Sequence, residues 1–274
     1  MRPDVSGATT VGKVRKVNQD QFLIAELTKA LHVMKTSLPG ADGGWSRSQV
    51  GALLLAVADG VGGGAAGERA SALAVKAMVD YALHVMPLIE DPKLAPARPV
   101  GDMLQSAAIR ADGSVHAEAK QHPEERGMAT TLTVIYVIGR HLHGVHVGDS
   151  RAYIIRGGKT IRLTRDHNVA QRLVEEGVLT PEGAGRSRMR HVLWNAVGGT
   201  KPGVEPDTFD VVAEPGDAVL LCTDGLDKHV DEATIARIIG QSASAEANCQ
   251  ALIAAADAGG GTDNTAVVVA RFPA

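Results

Sequence analysis

Aromatic residues are scarce in this chain and make up 3% of its 274 residues. Its hydrophobic core must therefore rest on Ala, Val, Leu and Ile, and a hydrophobic content of 45% is enough to build one. The 2 cysteines, Cys222 and Cys249, form neither a disulfide framework nor a zinc-binding spacing. Cys222 lies in the apolar run Ala-Val-Leu-Leu-Cys, where we expect a reduced core residue.

Long apolar runs are also missing, and neither sign of charge is in clear excess. The amino terminus lacks the apolar stretch of a signal peptide, and the core run 52–58 is far shorter than the roughly 20 residues that cross a bilayer. The 28 Lys and Arg against 31 Asp and Glu give a formal net charge of −3. This balance argues against nucleic acid as the main partner, because binding to a phosphate backbone needs a basic surface. We expect a cytoplasmic monomer without membrane or nucleic-acid partners.

Hydrophobic patterning predicts strands and helices along the whole chain, with no internal repeat and no low-complexity linker. Strands are predicted at 21–26, 52–58, 131–138, 141–147, 151–156, 160–163, 218–223 and 265–271. Helices are predicted at 68–86, 103–120, 169–176, 232–239 and 244–256. The first should have one apolar face, formed by Ala70, Leu73, Ala74, Ala77, Met78, Tyr81 and Val85. Asp231 is predicted to cap the fourth helix, and Ser244 to begin the fifth. The sequence therefore predicts a single domain over residues 1–274.

Hairpins with few interleaved crossovers favour an α+β fold, in which antiparallel sheets carry helices on their outer faces. The strands within 131–156 are predicted to form a meander, with turns at Gly139-Arg140 and around Gly148-Asp149. Two segments stand apart: 28–50 is predicted to be a long hairpin excursion and 87–100 an irregular connector.

Five aspartates each follow an apolar run and stand beside glycine, serine or asparagine: Asp20, Asp59, Asp149, Asp224 and Asp263. A strand followed by a tight acidic turn places a carboxylate at a sheet edge, beside exposed backbone carbonyls. Several such turns together would form an oxygen-rich cage, which suits Mg²⁺ or Mn²⁺ rather than zinc. A single aspartate of this kind is more readily explained as a turn residue or helix cap. Their order and context are what indicate a hydrolytic metalloenzyme.

The turn 59–64, with the sequence Asp-Gly-Val-Gly-Gly-Gly, is the most specific single motif. Glycines allow positive φ and let a backbone carbonyl approach a bound ion. Asp59 could then bridge two cations while the Gly60 carbonyl fills another coordination position. A glycine-rich turn with an exposed aspartate explains this motif alone equally well. It is not a nucleotide-binding phosphate loop, because the Gly-Lys-Ser/Thr ending is missing.

Taken together, these motifs resemble those of the metal-dependent serine/threonine protein phosphatases, the type 2C family, and especially its bacterial members. The resemblance extends from about residue 7 to 272 and rests on the segments 12–20, 58–63, 127–131, 146–153, 163–167, 222–226 and 261–265. It implies an α-β-β-α sandwich of two packed antiparallel sheets flanked by helices, with metals at one sheet edge. It also implies hydrolysis of phosphoserine and phosphothreonine in proteins, with Ser/Thr kinases and their substrates as plausible targets.

By the same resemblance, six residues would form the metal site: Asp20, Asp59, Gly60, Asp149, Asp224 and Asp263. Asp59 would bridge two Mn²⁺ or Mg²⁺ ions, with the Gly60 carbonyl on one of them and Asp224 and Asp263 on the other. Asp20 would support the site through a bound water. Asp149, together with Asp224, would serve a third and weaker metal position.

Arg15, Asp59 and Asp224 are the residues that the resemblance implies for catalysis. Arg15 would bind the substrate phosphate, which suits the bidentate geometry of a guanidinium. A metal-activated water would attack phosphorus without a covalent phosphoenzyme, so Cys222 would have no role as a nucleophile. The general acid stays open, because Val61 stands where eukaryotic relatives often carry a histidine that many bacterial relatives also lack. His167 and a water on a third metal are alternatives, although a structural role is more common for a turn histidine.

Two other groups of residues can be interpreted either as solvent-exposed structure or as functional sites. His141, His143 and His146 lie close in sequence, and a solvated strand face explains them better than a transition-metal site. The basic segment 183–199 corresponds by resemblance to a mobile flap beside the metals, and a solvated basic loop is an equally good interpretation.

The main alternative function is a non-catalytic module that binds a phosphorylated partner. The five aspartates and Arg15 are all present, which argues against such a degenerate relative. A third hypothesis keeps the chemistry but narrows the target to a phosphorylated regulator in a partner-switching pathway.

Overall fold

The computed structural model describes residues 2–32, 46–62, 65–85 and 99–274. The strands are β1 (Asp4–Thr10), β2 (Asp20–His32), β3 (Ser46–Val61), β4 (Ala129–Thr130), β5 (Leu132–Ile138), β6 (His141–Val147), β7 (Arg151–Arg156), β8 (Lys159–Arg162), β9 (Val197–Gly198), β10 (Asp207–Val212), β11 (Ala218–Cys222) and β12 (Thr265–Arg271). The helices are α1 (Ala65–Val85), α2 (Val100–Gln121), α3 (Val169–Glu175), α4 (Pro181–Arg186), α5 (Asp224–Asp227), α6 (Glu232–Gln241) and α7 (Ala245–Ala258), with 3-10 turns at Pro123–Glu125 and Arg188–His191.

The strands form two antiparallel sheets. One has the order β1-β12-β11-β7-β8, and the other has the order β10-β6-β5-β3-β4-β9 with β2 paired to β3. The α+β fold class predicted from the sequence is confirmed. The predicted hairpin of 28–50 is also seen, because β2 pairs with β3 from Asp20 opposite Asp59 to His32 opposite Ser46. Residues 33–45 of that excursion, and residues 87–98 of the predicted connector, lie outside the described residues.

Buried strands with apolar side chains on both faces divide the core into three layers. In β3, Leu53, Leu55 and Val57 face the other sheet, while Leu54 and Ala56 face the helices, because successive side chains of a strand point to opposite sides. Helices α1 and α2 cover this sheet, and α6 and α7 cover the other. The result is the four-layer α-β-β-α arrangement that the resemblance implied.

Helix α1 follows the predicted apolar periodicity. Ala70, Ala74 and Met78 are buried against the sheet, whereas Val85, predicted on the same face, is 42% exposed at the end of the helix. Among the described residues, no helix is both long and apolar enough to cross a membrane.

The predicted meander over 131–156 is wrong in its last turn. β5 and β6 form the predicted hairpin around Gly139 and Arg140, but β7 pairs with β11 in the opposite sheet. The chain leaves the sheet of β5 and β6 at Gly148, whose φ of 104° is a conformation that favours glycine. A Cβ at this position would also clash with Thr131. This crossing, which no turn motif in the sequence distinguishes from a hairpin, brings Asp149 between the two sheets.

Candidate active site

Asp20 and Asp59 face each other across neighbouring strands, because the β2–β3 register places them in direct opposition. Asp20 is 2% exposed; its Oδ2 accepts a hydrogen bond of 2.7 Å from the Thr223 hydroxyl, and its Oδ1 is buried without a hydrogen-bond partner. Burial raises the pKa of Asp20 to about 7, and the nearby carboxylates of Asp224 and Asp263 act in the same direction. Like charges in opposition destabilise a sheet, so this pair favours a cation or a proton between them.

The backbone of Asp59 is held by the two threonines of the segment 127–131. Thr131 accepts from the Asp59 amide at 2.9 Å through its hydroxyl and donates its own amide to the Asp59 carbonyl at 2.9 Å. Thr130 donates its hydroxyl to the same carbonyl. Burial, and then the charge of Asp20, raise the pKa of Asp59 well above its usual value. The carboxylate is therefore held by a rigid backbone in surroundings that disfavour its charge.

Gly60 lies where β3 meets the start of α1. A Cβ at this position would clash with the Gly67 backbone, so glycine is required for the close approach of the helix. The positive φ expected for this turn is found at Gly62, with 122°, rather than at Gly60. Residues 63–64 of the motif lie outside the described residues.

Asp149 follows the crossing between the sheets and is 9% exposed. Burial raises its pKa well above the usual value, and the charges of Asp224, Asp166 and Asp227 add to this effect. The neighbouring Ser150 hydroxyl is 2.7 Å from the Thr131 hydroxyl, which connects this turn to the turn of Asp59.

Asp224 and Asp263 complete the cluster, and both contact cations of the protein itself. The Lys228 ammonium lies 2.6 Å from Asp224 Oδ2 and 2.7 Å from Asp263 Oδ2. Arg15 binds Asp263 in a bidentate manner, at 2.7 Å through Nε and 2.9 Å through a terminal nitrogen. Burial alone would raise the pKa of Asp263, but the hydrogen bonds from Lys228 and Arg15 lower it overall. The Oδ1 atom of Asp224 is buried without a hydrogen-bond partner.

A cleft of about 1370 Å³ opens over this cluster. Its walls include Arg15, Asp59, Asp149, Asp224 and Asp263. The structure therefore brings together all five aspartates and Arg15, which are distributed over 249 positions of the sequence from 15 to 263. Asp20 lies below the surface, opposite Asp59, and is the one aspartate of the set that does not line the cleft.

The basic segment 183–199 forms one wall of the cleft. Arg190 and His191 line the cleft, whereas Arg186 and Arg188 are absent from its lining. Arg190 also lies 3.7 Å from Asp227 at the end of α5. The base of the segment is closed by a hydrogen bond of 3.0 Å from the Trp194 amide to the His167 carbonyl.

His167, an alternative for the general acid, lies behind the cleft wall and is fully buried. Its Nδ1 accepts from the Gly148 amide and from Asn195, which leaves Nε2–H to donate to Asp207 at 3.1 Å. This network connects the base of the segment 183–199 to the turn before Asp149, so the role of His167 is structural. Of the other histidines, His141 and His143 stack on one face of β6, while His146 is buried on the opposite face. The three therefore do not converge.

His146 should make the protein less stable at acidic pH. Burial lowers the pKa of His146 from 6.5 to about 3. As the pH falls below 6.5, the unfolded chain takes up a proton at this residue and the folded protein does not, so the free energy of unfolding decreases. Between pH 7 and pH 5 the loss should be about 2 kcal/mol.

The measurement is urea unfolding with EDTA at both pH values, for wild type and His146→Gln. The difference between the two proteins removes the contribution of the acidic cluster, which both share. We expect a flatter pH dependence for His146→Gln and unchanged behaviour for His84→Gln, an exposed residue of α1. Parallel pH dependence in wild type and His146→Gln would contradict the assignment.

Three residues of the site received no role from the sequence: Thr223, Lys228 and Asn264. Thr223 bonds Asp20, and Lys228 bonds two aspartates. The Asn264 side chain accepts from the Gln19 amide at 2.9 Å and donates to the Val11 carbonyl at 3.0 Å, so it fixes both ends of the loop between β1 and β2, which carries Arg15. Thr223 and Asn264 adjoin Asp224 and Asp263 in their motifs, which was an available signal. No comparable sequence signal marked Lys228.

A family model described as Protein phosphatase 2C matches residues 34–256. The serine/threonine protein phosphatase PstP of Mycobacterium tuberculosis is 41% identical over 223 residues, which is 80% of this chain and 40% of that protein. This chain thus spans less than half of the mycobacterial relative. The protein phosphatase PhpP of Streptococcus pneumoniae is 30% identical over 222 residues, which is 81% of this chain and 87% of that protein.

Solved structures agree with these relatives. A crystal structure of the M. tuberculosis phosphatase PstP/Ppp has a TM-score of 0.77 and 32% identity, and the match covers 100% of both chains. The PstP catalytic domain in complex with 2 manganese ions has a TM-score of 0.75 and 31% identity, covering 100% of this chain and 99% of that one. Serine/threonine phosphatase Stp1 of Staphylococcus aureus has a TM-score of 0.82 and 26% identity, covering 100% of this chain and 96% of that one.

Proposed function

Since the chain belongs to the protein phosphatase 2C family, we propose that it is a metal-dependent phosphatase of phosphoserine and phosphothreonine in proteins. The observation that carries this proposal is the convergence of five aspartates and Arg15 at one cleft. Aspartates so close together, three of them with raised pKa values, need added positive charge to be ionised at neutral pH. A divalent cation supplies that charge. We propose a single catalytic domain that acts on phosphoproteins, with Ser/Thr kinases among its targets.

The chemistry of the cluster fits Mn²⁺ or Mg²⁺. Its donors are carboxylate oxygens, which these hard cations prefer. Two of these oxygens, Asp20 Oδ1 and Asp224 Oδ1, are buried without a hydrogen-bond partner, as expected of atoms placed to face a cation or its water. Among the described residues, no three His, Cys, Asp or Glu side chains are already arranged to hold a metal ion. Lys228 and Arg15 hold the Asp224 and Asp263 carboxylates themselves.

We assign the roles within the site as follows. Asp59 would bridge two ions, the Gly60 carbonyl and Asp20 would complete one side, and Asp224 and Asp263 would hold the other. When bound, the two ions would lower the pKa of a water molecule and withdraw charge from the phosphoryl oxygens.

Arg15 would bind the phosphate. The two guanidinium nitrogens that contact Asp263 are a pair that can also donate two hydrogen bonds to a phosphate. The Arg15 side chain is 51% exposed at the cleft. Asp149 would contribute a third cation position with Asp224. His167 is buried behind the wall, so we assign it to positioning the turn before Asp149 rather than to proton transfer.

The test is hydrolysis of a phosphothreonine peptide by purified protein with Mn²⁺, with Mg²⁺ and with EDTA. We expect turnover with a divalent cation and none with EDTA, and recovery when excess Mn²⁺ is added back. Asp224→Ala should be inactive under all conditions, because one ion would lose a carboxylate. No turnover by the folded wild-type protein with either metal would contradict the proposal. A non-catalytic module would instead bind the phosphopeptide without hydrolysing it.

A further inference from the structure

Lys228 places an ammonium group inside the carboxylate cluster. It follows α5, one turn after Asp224, and its side chain is 16% exposed. Its Nζ contacts Asp224 Oδ2 at 2.6 Å and Asp263 Oδ2 at 2.7 Å. These two carboxylates are the ones proposed above to hold the second ion. The lysine therefore occupies oxygens that this ion would need.

We propose that Lys228 is a built-in counter-ion, which takes the second metal position in the metal-free protein and must leave before the second ion binds. The inference rests on the two-metal site proposed above. An ammonium donates hydrogen bonds to the same lone pairs that a metal would accept, and its positive charge repels a divalent cation at close range. Both effects weaken binding of the ion at Asp224 and Asp263.

The other half of the cluster lacks such a competitor. Within the described parts of the chain, Lys and Arg side chains form ion pairs with Asp224 and Asp263 but not with Asp20, Asp59 or Asp149. The Asp20–Asp59 pair, which forms no ion pair with a Lys or Arg of the described residues, should bind the first ion more tightly. The two ions therefore bind with different affinities, and the weaker of the two determines how much Mn²⁺ the protein needs.

Lys228 is distinguished from Arg15 by its contacts. Arg15 reaches only Asp263 among the two carboxylates, and its side chain is 51% exposed, so it can turn toward the cleft. Lys228 bridges both carboxylates from a side chain that is largely buried. Removal of the lysine charge should therefore affect the second ion specifically.

The experiment is isothermal titration of MnCl₂ into metal-free protein at constant pH and salt. Wild type is compared with Lys228→Met, which keeps the apolar stem and removes the charge. Lys159→Met removes the same charge from an exposed residue of β8 and controls for net charge. We expect Lys228→Met to lower the dissociation constant of the weaker event about tenfold or more. The tighter event should change less than twofold, and Lys159→Met should change neither.

An unchanged or larger dissociation constant for the weaker event in folded Lys228→Met would overturn the inference and leave the two-metal site intact. Binding by neither protein would overturn both. Binding of a second ion by Lys228→Met alone would support the inference in its strongest form. Far-ultraviolet circular dichroism with EDTA reports whether the variant is folded. If it is not, Lys228→Gln, which is neutral but still donates hydrogen bonds to a carboxylate, takes its place, with a smaller shift expected in the same direction.

Discussion

Replacing Asp59 by asparagine is expected to reduce hydrolysis of a phosphothreonine peptide at least about a thousandfold. The side chain keeps its shape but loses the charge that would bridge two cations. The same variant should be more stable than wild type with EDTA, because Asp59 and Asp20 oppose each other in neighbouring strands and the pKa of Asp59 is raised by burial. Loss of activity with a gain in stability is the pattern expected when a functional site stores electrostatic strain.

Two measurements test this prediction: turnover with saturating Mn²⁺ and thermal unfolding with and without the metal. The stabilisation that Mn²⁺ gives to wild type should be much smaller for Asp59→Asn, since ligand binding stabilises only the state that binds. Asp80→Asn, at an exposed position of α1, is the matched control and should retain activity within about twofold. If Asp59→Asn kept more than about a tenth of the wild-type turnover, the bridging role would be wrong.

Replacing Arg15 by alanine is expected to lower kcat/KM for the same peptide about a hundredfold, or about 2.7 kcal/mol. This is the magnitude of the charge-assisted hydrogen bonds that a bidentate guanidinium makes to phosphate. Arg15→Lys keeps the charge but loses the planar pair of donors, so its kcat/KM should fall between those of wild type and Arg15→Ala.

The fold should tolerate the Arg15 substitution, because Lys228 still neutralises the Asp263 carboxylate when the arginine is gone. Arg237→Ala, an exposed position of α6, removes the same charge away from the cleft and should leave kcat/KM unchanged. Equal kcat/KM values for Arg15→Ala and wild type would exclude a role of this residue in substrate binding.

Much of the local structure could be predicted from residue patterns. The periodicity of 68–86 predicted α1, and Asp231 was correctly predicted as the cap of α6. Ser244, predicted as the first residue of its helix, is the cap that precedes α7; both caps accept a hydrogen bond from the backbone. Strands β1 and β10 were missed, as were the two-residue strands β4 and β9. β10 alternates half-buried and exposed residues and β1 contains no fully buried residue, so neither has the continuous apolar run by which the longer strands of the core were found.

The candidate site could be predicted in its residue types but not in its charge balance. The five aspartates and Arg15 were recognised by their motifs, and the structure brings them together. Lys228 was not recognised, because a lysine four positions after Asp224 has the ordinary spacing of a helical surface pair. Only the approach of Asp263, from the turn before β12, makes that pair a largely buried bridge between two carboxylates.

The sequence by itself determined the acidic turns, the helix caps and the continuous apolar run of β3, because these depend on residues close together in the chain. The tertiary structure decided which aspartates lie close together, because this depends on the register of the strands and on where the chain crosses between the sheets. The β2–β3 register puts Asp20 against Asp59, and the turn at Gly148 carries the chain from one sheet to the other. Electrostatic energy depends on distances in space. Carboxylates far apart in the chain therefore repel one another, and can bind the same cations, only when the two sheets have packed together.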